Sequence, residues 1–248
     1  MELFGVPVVH ILIGIAATTV GAMVQGSVGF GLAVVSAPIL LMVSPRFVPG
    51  SLMLAATVLT VMMFMRERHA VVKREVIISS AARLVATIPT AYVVSQIDER
   101  LFSILFAVVV LVAVGISFSG FSLPFTTTNL VLASCVSGIC NTVSAIGGPA
   151  MALVYQSQHG SHIRSTLSAI FAIGATISMV CLAAVGEFNF KDILLGLLLL
   201  PGIFLGFAIS RYTVRLLDQH TTRPAVLGIA GLSAVVILVR ALLTTTSS

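Results

Sequence analysis

The chain has 248 residues, of which 58% are hydrophobic and only 8% charged, with a formal net charge of +5. A soluble domain carries roughly 25% charged residues, so this chain has too little polar surface to cover itself in water and reads as an integral membrane protein. Its basic residues lie in short loops between apolar runs, a placement that membrane topology explains better than nucleic-acid binding.

The first ten residues, MELFGVPVVH, lack a basic leader segment, and the apolar run that follows is too long for a signal-peptide core. They are read as the approach to a membrane block. With charges as punctuation, the predicted elements are an apolar block over 7–44, spans at 48–65, 76–95 and 101–119, a second block over 128–158, and spans at 165–185, 193–210 and 224–243. One helix crosses a bilayer in roughly 20 residues. Both blocks exceed that, and both are interrupted by glycine, in "QGSVGFG" (25–31) and "CNTVSAIGGPA" (140–150). The halves 1–119 and 120–248 therefore share one pattern, a broken block followed by three helices. Two echoes support a repeat: Gly29 and Arg46 align with Gly147 and Arg164, and "IPTAYVV" (88–94) resembles "LPGIFLG" (200–206).

Loop charge sets the expected orientation. "RERHAVVKRE" (66–75) and "RYTVRLLDQHTTR" (211–223) are basic and expected in the cytoplasm, whereas "QIDER" (96–100) and "EFNFKD" (187–192) are acidic and expected outside. Corresponding loops then fall on opposite sides, which is the signature of inverted-topology repeats. Parity makes each broken block enter and return as a re-entrant helix pair and puts both termini outside. The expected fold is all-α and integral to the membrane, with two inverted-topology repeats.

Inside hydrocarbon, non-helical backbone is tolerated only where it is buried in protein or lines a cavity. The half-helix after such a break offers unpaired N–H groups and the positive end of its dipole, which favour an anion. The candidate substrate-binding residues are Gln25, Gly26, Ser27, Gly29 and Gly31 in the first break and Asn141, Thr142, Ser144, Gly147 and Gly148 in the second. Close-packing glycines are the competing reading. Two polar, glycine-rich breaks at corresponding places favour a site. "GSVGFG" is a poor dinucleotide motif, because no strand precedes it and no acid follows at ribose-binding distance.

All eight acids fall in loops or at span ends, so no carboxylate is available in the membrane interior. Arg83 lies inside the 76–95 span, about eight residues or ~12 Å of helix from Glu75. It either serves the substrate path, as intramembrane arginines commonly do, or snorkels to the cytoplasmic face. Both readings stay open, and Arg83 joins the candidates. Arg46 and Arg164 mark the block exits, Arg240 snorkels, and His10, His159 and His162 sit at block ends as interfacial groups that titrate near neutrality. Tyr155, Gln156 and Gln158 line a cavity or end the second block. Cys135, Cys140 and Cys181 lie in apolar segments as small core residues. With no CxxC, HExxH or GxxxxGK[ST] motif, no metal, cofactor or catalytic residue is expected.

"GSVGFGLAVVSAPILL" (26–41) and "SAIGGPAMALVYQ" (144–156), together with the four-plus-four organisation, resemble the TauE/SafE family of sulfite and sulfonate exporters. The second motif departs from the usual form, since Pro149 directly follows Gly147-Gly148. The resemblance implies movement of sulfite or another small sulfur oxyanion or organosulfonate across the bacterial inner membrane, driven by the proton motive force. Expected partners are that anion, protons, the bilayer and, on assembly, further copies of the chain. A passive channel, an uptake permease for another anion, an assembly subunit and an intramembrane enzyme are the competing classes. The enzyme lacks its buried carboxylate pair or nucleophile with a base.

Overall fold

The computed structural model describes residues 2–3, 5–119, 122–155 and 161–213, with positions 235, 236, 238 and 239 near the C-terminus. The span expected at 224–243 lies almost wholly outside these residues, as do Gln156, Gln158, His159 and Arg240, and the side chain of His162.

A short hairpin, β1 (Glu2–Leu3) against β2 (Val6–Pro7), precedes the helices. The first block becomes α1 (Val8–Val28) and α2 (Leu32–Val43), followed after a short turn by α3 (Gly50–Glu67), α4 (Lys73–Gln96) and α5 (Glu99–Ser119). The second block becomes α6 (Thr127–Ser144) and α7 (Gly148–Tyr155), followed by α8 (Ser161–Ala184) and α9 (Phe190–Thr213). Among the described residues, five helical stretches are long and apolar enough to cross a membrane: Val8–Ser27, Lys73–Gln96, Glu99–Ile116, Arg164–Ala184 and Phe190–Tyr212. Leu32–Val43 and Gly50–Arg66 are apolar but shorter.

The helices are two-faced in a way that suits lipid rather than water. On α4, Leu84, Val85, Ile88 and Val93 are exposed while Ala82, Arg83, Thr87 and Ala91 are buried. Polar atoms therefore turn inward and apolar side chains face outward, the arrangement a hydrocarbon solvent selects.

Small residues set the closest packing. Along α9, Gly202, Gly206 and Ser210 recur every four residues and meet α1. A methyl group on Gly206 would lie 2.7 Å from the Ala22 Cβ, and one on Gly26 would lie 2.5 Å from the Ser210 hydroxyl. The pair α4–α6 is built alike, with Gly138 against the Arg83 backbone, where an added Cβ would lie 3.1 Å from the carbonyl oxygen. Such stripes let helix backbones approach where lipid supplies no hydrophobic drive. Further contacts join α3 to both α8 and α9, and α4 to α8.

Charge separates between the two ends of the bundle. At one end Arg46, Asp98, Glu99, Glu187, Lys191 and Asp192 surround a cavity of about 490 Å³. At the other, Arg66 and Arg211 lie 5.0 and 5.8 Å from the Phe207 ring centre, and the Val72 N–H donates to the Thr166 hydroxyl at 3.0 Å. The acidic loops thus share one end, and the basic 66–75 loop lies at the opposite one.

Candidate functional site

The first break begins where α1 reaches Gly29, whose φ of 102° caps the helix in a left-handed turn with its N–H donating to the Gln25 carbonyl at 2.7 Å. Gly31 follows at φ 133°, and α2 restarts at Leu32. Glycine enters this region without the steric cost that a Cβ imposes. The Gln25 side chain then folds across the gap. Its Oε1 accepts the Leu32 N–H at 2.9 Å, in buried surroundings, so one orphan donor of the new helix is satisfied within the chain.

The second break uses the same device with a different residue. Ala145 caps α6 at φ 60°, and its N–H donates to the Asn141 carbonyl at 2.8 Å. The left-handed caps thus fall at Gly29 and Ala145, two residues before the Gly29–Gly147 alignment drawn from the sequence. In this register Gln25 matches Asn141, and Gly31 matches Gly147.

The two breaks meet. Gly148 lies against Phe30 so closely that an added Cβ would sit 2.8 Å from the phenylalanine Cβ. Around this contact is a cavity of about 30 Å³, lined by Gln25, Phe30, Gly31, Ala33 and Val34 from the first block and by Asn141, Ala145, Ile146, Gly147 and Gly148 from the second. Ala56 and Thr60 of α3 and Phe171 and Ala175 of α8 close it. The volume suits one or two water molecules.

The remaining candidates are close by but do not line this space. Gly26 is a packing residue under Ser210, and its carbonyl accepts from Arg66 Nη2 at 3.2 Å. The Ser27 and Ser144 hydroxyls donate back to the Met23 and Cys140 carbonyls at 2.9 and 2.8 Å. Thr142 likewise donates to the Gly138 carbonyl at 2.8 Å and lies 3.1 Å from the Ser178 hydroxyl, which also accepts from Asn141 Nδ2 at 3.0 Å. Serine and threonine in helices commonly bond to the preceding turn, and these three hydroxyls do so here. The Gly29 backbone faces the Arg164 stem.

Behind the second break sits Arg83. It is fully buried rather than extended to the protein surface. Its Nη1 donates to the Ser137 hydroxyl at 2.7 Å, and Ser137 in turn donates to the Gly147 carbonyl at 2.7 Å. Nε and Nη2 have no hydrogen-bond partner among the described residues. The guanidinium lies 5.9 Å from the Phe171 ring centre and presses on Gly174, where any Cβ would collide with it. Glu75, the acid nearest in sequence, is engaged elsewhere, accepting from the Tyr155 hydroxyl at 2.6 Å.

Ser137, Phe171, Gly174 and Thr60 escaped sequence reading. Each lies within a run that reads as ordinary membrane helix, and only tertiary packing selects the face it occupies. The sole available signal was the four-residue spacing of Ser134, Gly138 and Thr142, a small polar stripe on α6.

No curated protein and no solved structure matches the chain. A family model described as Sulfite exporter TauE/SafE matches residues 13–237, nearly its whole length, and the protein belongs to that family of multi-pass membrane transporters.

Proposed function

We propose that the protein is a secondary transporter that exports a small anion, sulfite or an organosulfonate first, across the bacterial inner membrane at the expense of the proton motive force. The observation that carries this reading is the meeting of two broken helical blocks at one cavity, with a buried arginine behind it and no acid in the membrane interior. The amides of Gln25 and Asn141 line this cavity and the Arg83 guanidinium lies behind it, donors of the kind an oxyanion takes. Gly31, Gly147 and Gly148 keep that space open. In this conformation the cavity holds only a water or two, so an anion passes only after the halves move. That favours a carrier over an open channel.

The packing supports two repeats, 1–119 and 120–248. Exchanging α1, α2, α3 and α4 for α6, α7, α8 and α9 turns the α1–α9 contact into α6–α4, turns α3–α9 into α8–α4, and returns α3–α8 to itself. The acidic end is read as periplasmic and the basic end as cytoplasmic.

The test is sulfite and methanesulfonate flux in proteoliposomes under an imposed proton gradient. Saturable flux that collapses with the gradient is expected for wild type. Arg83→Gln should abolish it, and Arg83→Lys, which keeps the charge without the planar fork, should retain part. Flux that is linear in concentration and indifferent to the gradient would assign a channel.

A further inference from the structure

We propose that the path between the two breaks selects an anion that itself carries a hydrogen-bond donor, such as the hydrogen form of sulfite, and that Asn141 is the residue that reads this donor. The inference rests on the reading of that cavity as the anion's path. It deepens that reading by stating which protonation class of anion the path accepts.

The carrying observation is that the two carboxamides of the breaks are committed in opposite senses. Gln25 and Asn141 both line the cavity and are only 6% and 7% exposed. The two ends of an amide are told apart by the groups around it. The Leu32 N–H can only donate, so the Gln25 atom 2.9 Å from it is Oε1. The Gln25 amide nitrogen then has no partner among the described residues, and toward the cavity Gln25 offers a donor.

Asn141 is fixed the other way by a short chain of hydroxyls. The Thr142 hydroxyl donates to the Gly138 carbonyl at 2.8 Å, a closer acceptor than the Thr87 hydroxyl at 3.5 Å. Its proton being spent there, the Ser178 hydroxyl donates to Thr142 across 3.1 Å. Ser178 has one proton, so toward Asn141 it presents only a lone pair, and Nδ2 donates to it at 3.0 Å. That leaves Asn141 Oδ1 without a partner among the described residues, as an acceptor. Thr60, which also lines the cavity, spends its proton on carbonyls of its own helix at 3.0 Å and likewise keeps only lone pairs.

The side chains around this space therefore offer one donor group and two acceptors. A fully deprotonated oxyanion satisfies Gln25 but sets its own lone pairs against Asn141 Oδ1, and a buried acceptor left unpaired is penalised. A site built to bond an O–H or N–H discriminates strongly against an analogue that lacks it. Both commitments are internal to one half: Gln25 to Leu32 in the first block, and Asn141 through Ser178 and Thr142 to Gly138 in the second half. They travel with their halves when these part and the space widens to admit a ligand. With every acid of the sequence in loops or at span ends, the proton rides on the anion itself, and no bond is made or broken during passage.

Sulfamate and methanesulfonate separate this donor rule from charge and size. Both are tetrahedral sulfur monoanions near neutral pH, and an amino group in one replaces a methyl group in the other. The experiment is equilibrium binding of each to the purified full chain in detergent, with sulfite flux measured in proteoliposomes from the same preparation. Sulfamate should bind at least about tenfold more tightly than methanesulfonate. Asn141→Leu removes the acceptor and should bring the two within about threefold of each other. Ser178→Ala leaves the cavity lining intact but frees the Asn141 amide to turn either end inward, and it should shrink the preference in the same way. Equal binding of the two anions by wild-type protein would overturn the donor rule, with sulfite flux left to uphold the transport reading. A preference for sulfamate that survives both substitutions would overturn Asn141 as its source. Binding of neither anion by protein that still carries sulfite flux would overturn the inference as well.

Discussion

Gly174→Ala tests the packing of Arg83 directly. The added methyl would lie 2.6 Å from Nη2 and closer still to Nε and Cζ, so the guanidinium must shift. It has little room, since a Cβ at Gly147 would already lie 3.3 Å from Nη1 and the Phe171 ring lies on another side. The shift breaks the 2.7 Å bond to Ser137. A charge-assisted hydrogen bond contributes about 1.5–3 kcal/mol, whereas glycine to alanine within a helix returns about 1 kcal/mol. The net expectation is a loss of about 0.5–2 kcal/mol, read as a lower melting midpoint in detergent, with sulfite flux falling at least tenfold. The same substitution in an Arg83→Ala background has no guanidinium to strike. There its sign should reverse, and the helix should gain about 0.5–1 kcal/mol. A double-mutant cycle measures this coupling directly. Equal destabilisation in both backgrounds would show that Gly174 packs against something other than Arg83, and the reasoning would fail.

Two further predictions concern the breaks and the topology. Ala145→Gly should raise the melting midpoint modestly, by about 0.5–1 kcal/mol of stability, because φ 60° costs alanine more than glycine; Gly31→Ala, at φ 133° with Val24 2.9 Å from the new Cβ, should lower it. A melting shift in the same direction for both variants would contradict the cap assignment. In a cysteine-free background, a cysteine at exposed His69 should react with an impermeant maleimide only after the membrane is opened, and one at exposed Asn189 should react in intact cells. Labelling of both from outside would overturn the orientation.

The breaks themselves were legible because glycine, serine and asparagine are costly inside an apolar run and need a reason to be there. Helix ends were legible because charges mark them: α4 starts at Lys73, three residues ahead of the expected 76, since Lys73 and Arg74 extend the helix beyond the apolar segment. The allocation of roles within a break was not legible. Gln25 spends its Oε1 on Leu32, and Ser27 and Ser144 bond to their own helices, choices fixed by backbone geometry that spacing does not reveal. The depth of Arg83 alone allowed either burial or snorkelling. Gly174 and Ser137, one making room and the other accepting a hydrogen bond, decide it, and each lies more than fifty residues away in the chain.

On the proposed export cycle, with Arg83 as the anion's partner, a fixed interior cation without a fixed counter-charge makes transport sensitive to voltage. Loaded with a monoanion the site is neutral, and the membrane field does no work on it. Empty, it carries one positive charge, and the potential acts on whatever displacement Arg83 makes as the halves move. A full traversal is worth about 2.3 kcal/mol per 100 mV. In a cell that is negative inside, the field draws the empty carrier toward the cytoplasm, where an exporter must collect its next anion. The resting potential would then reset the carrier after each release, and turnover should rise with the inside-negative voltage even when no substrate gradient exists.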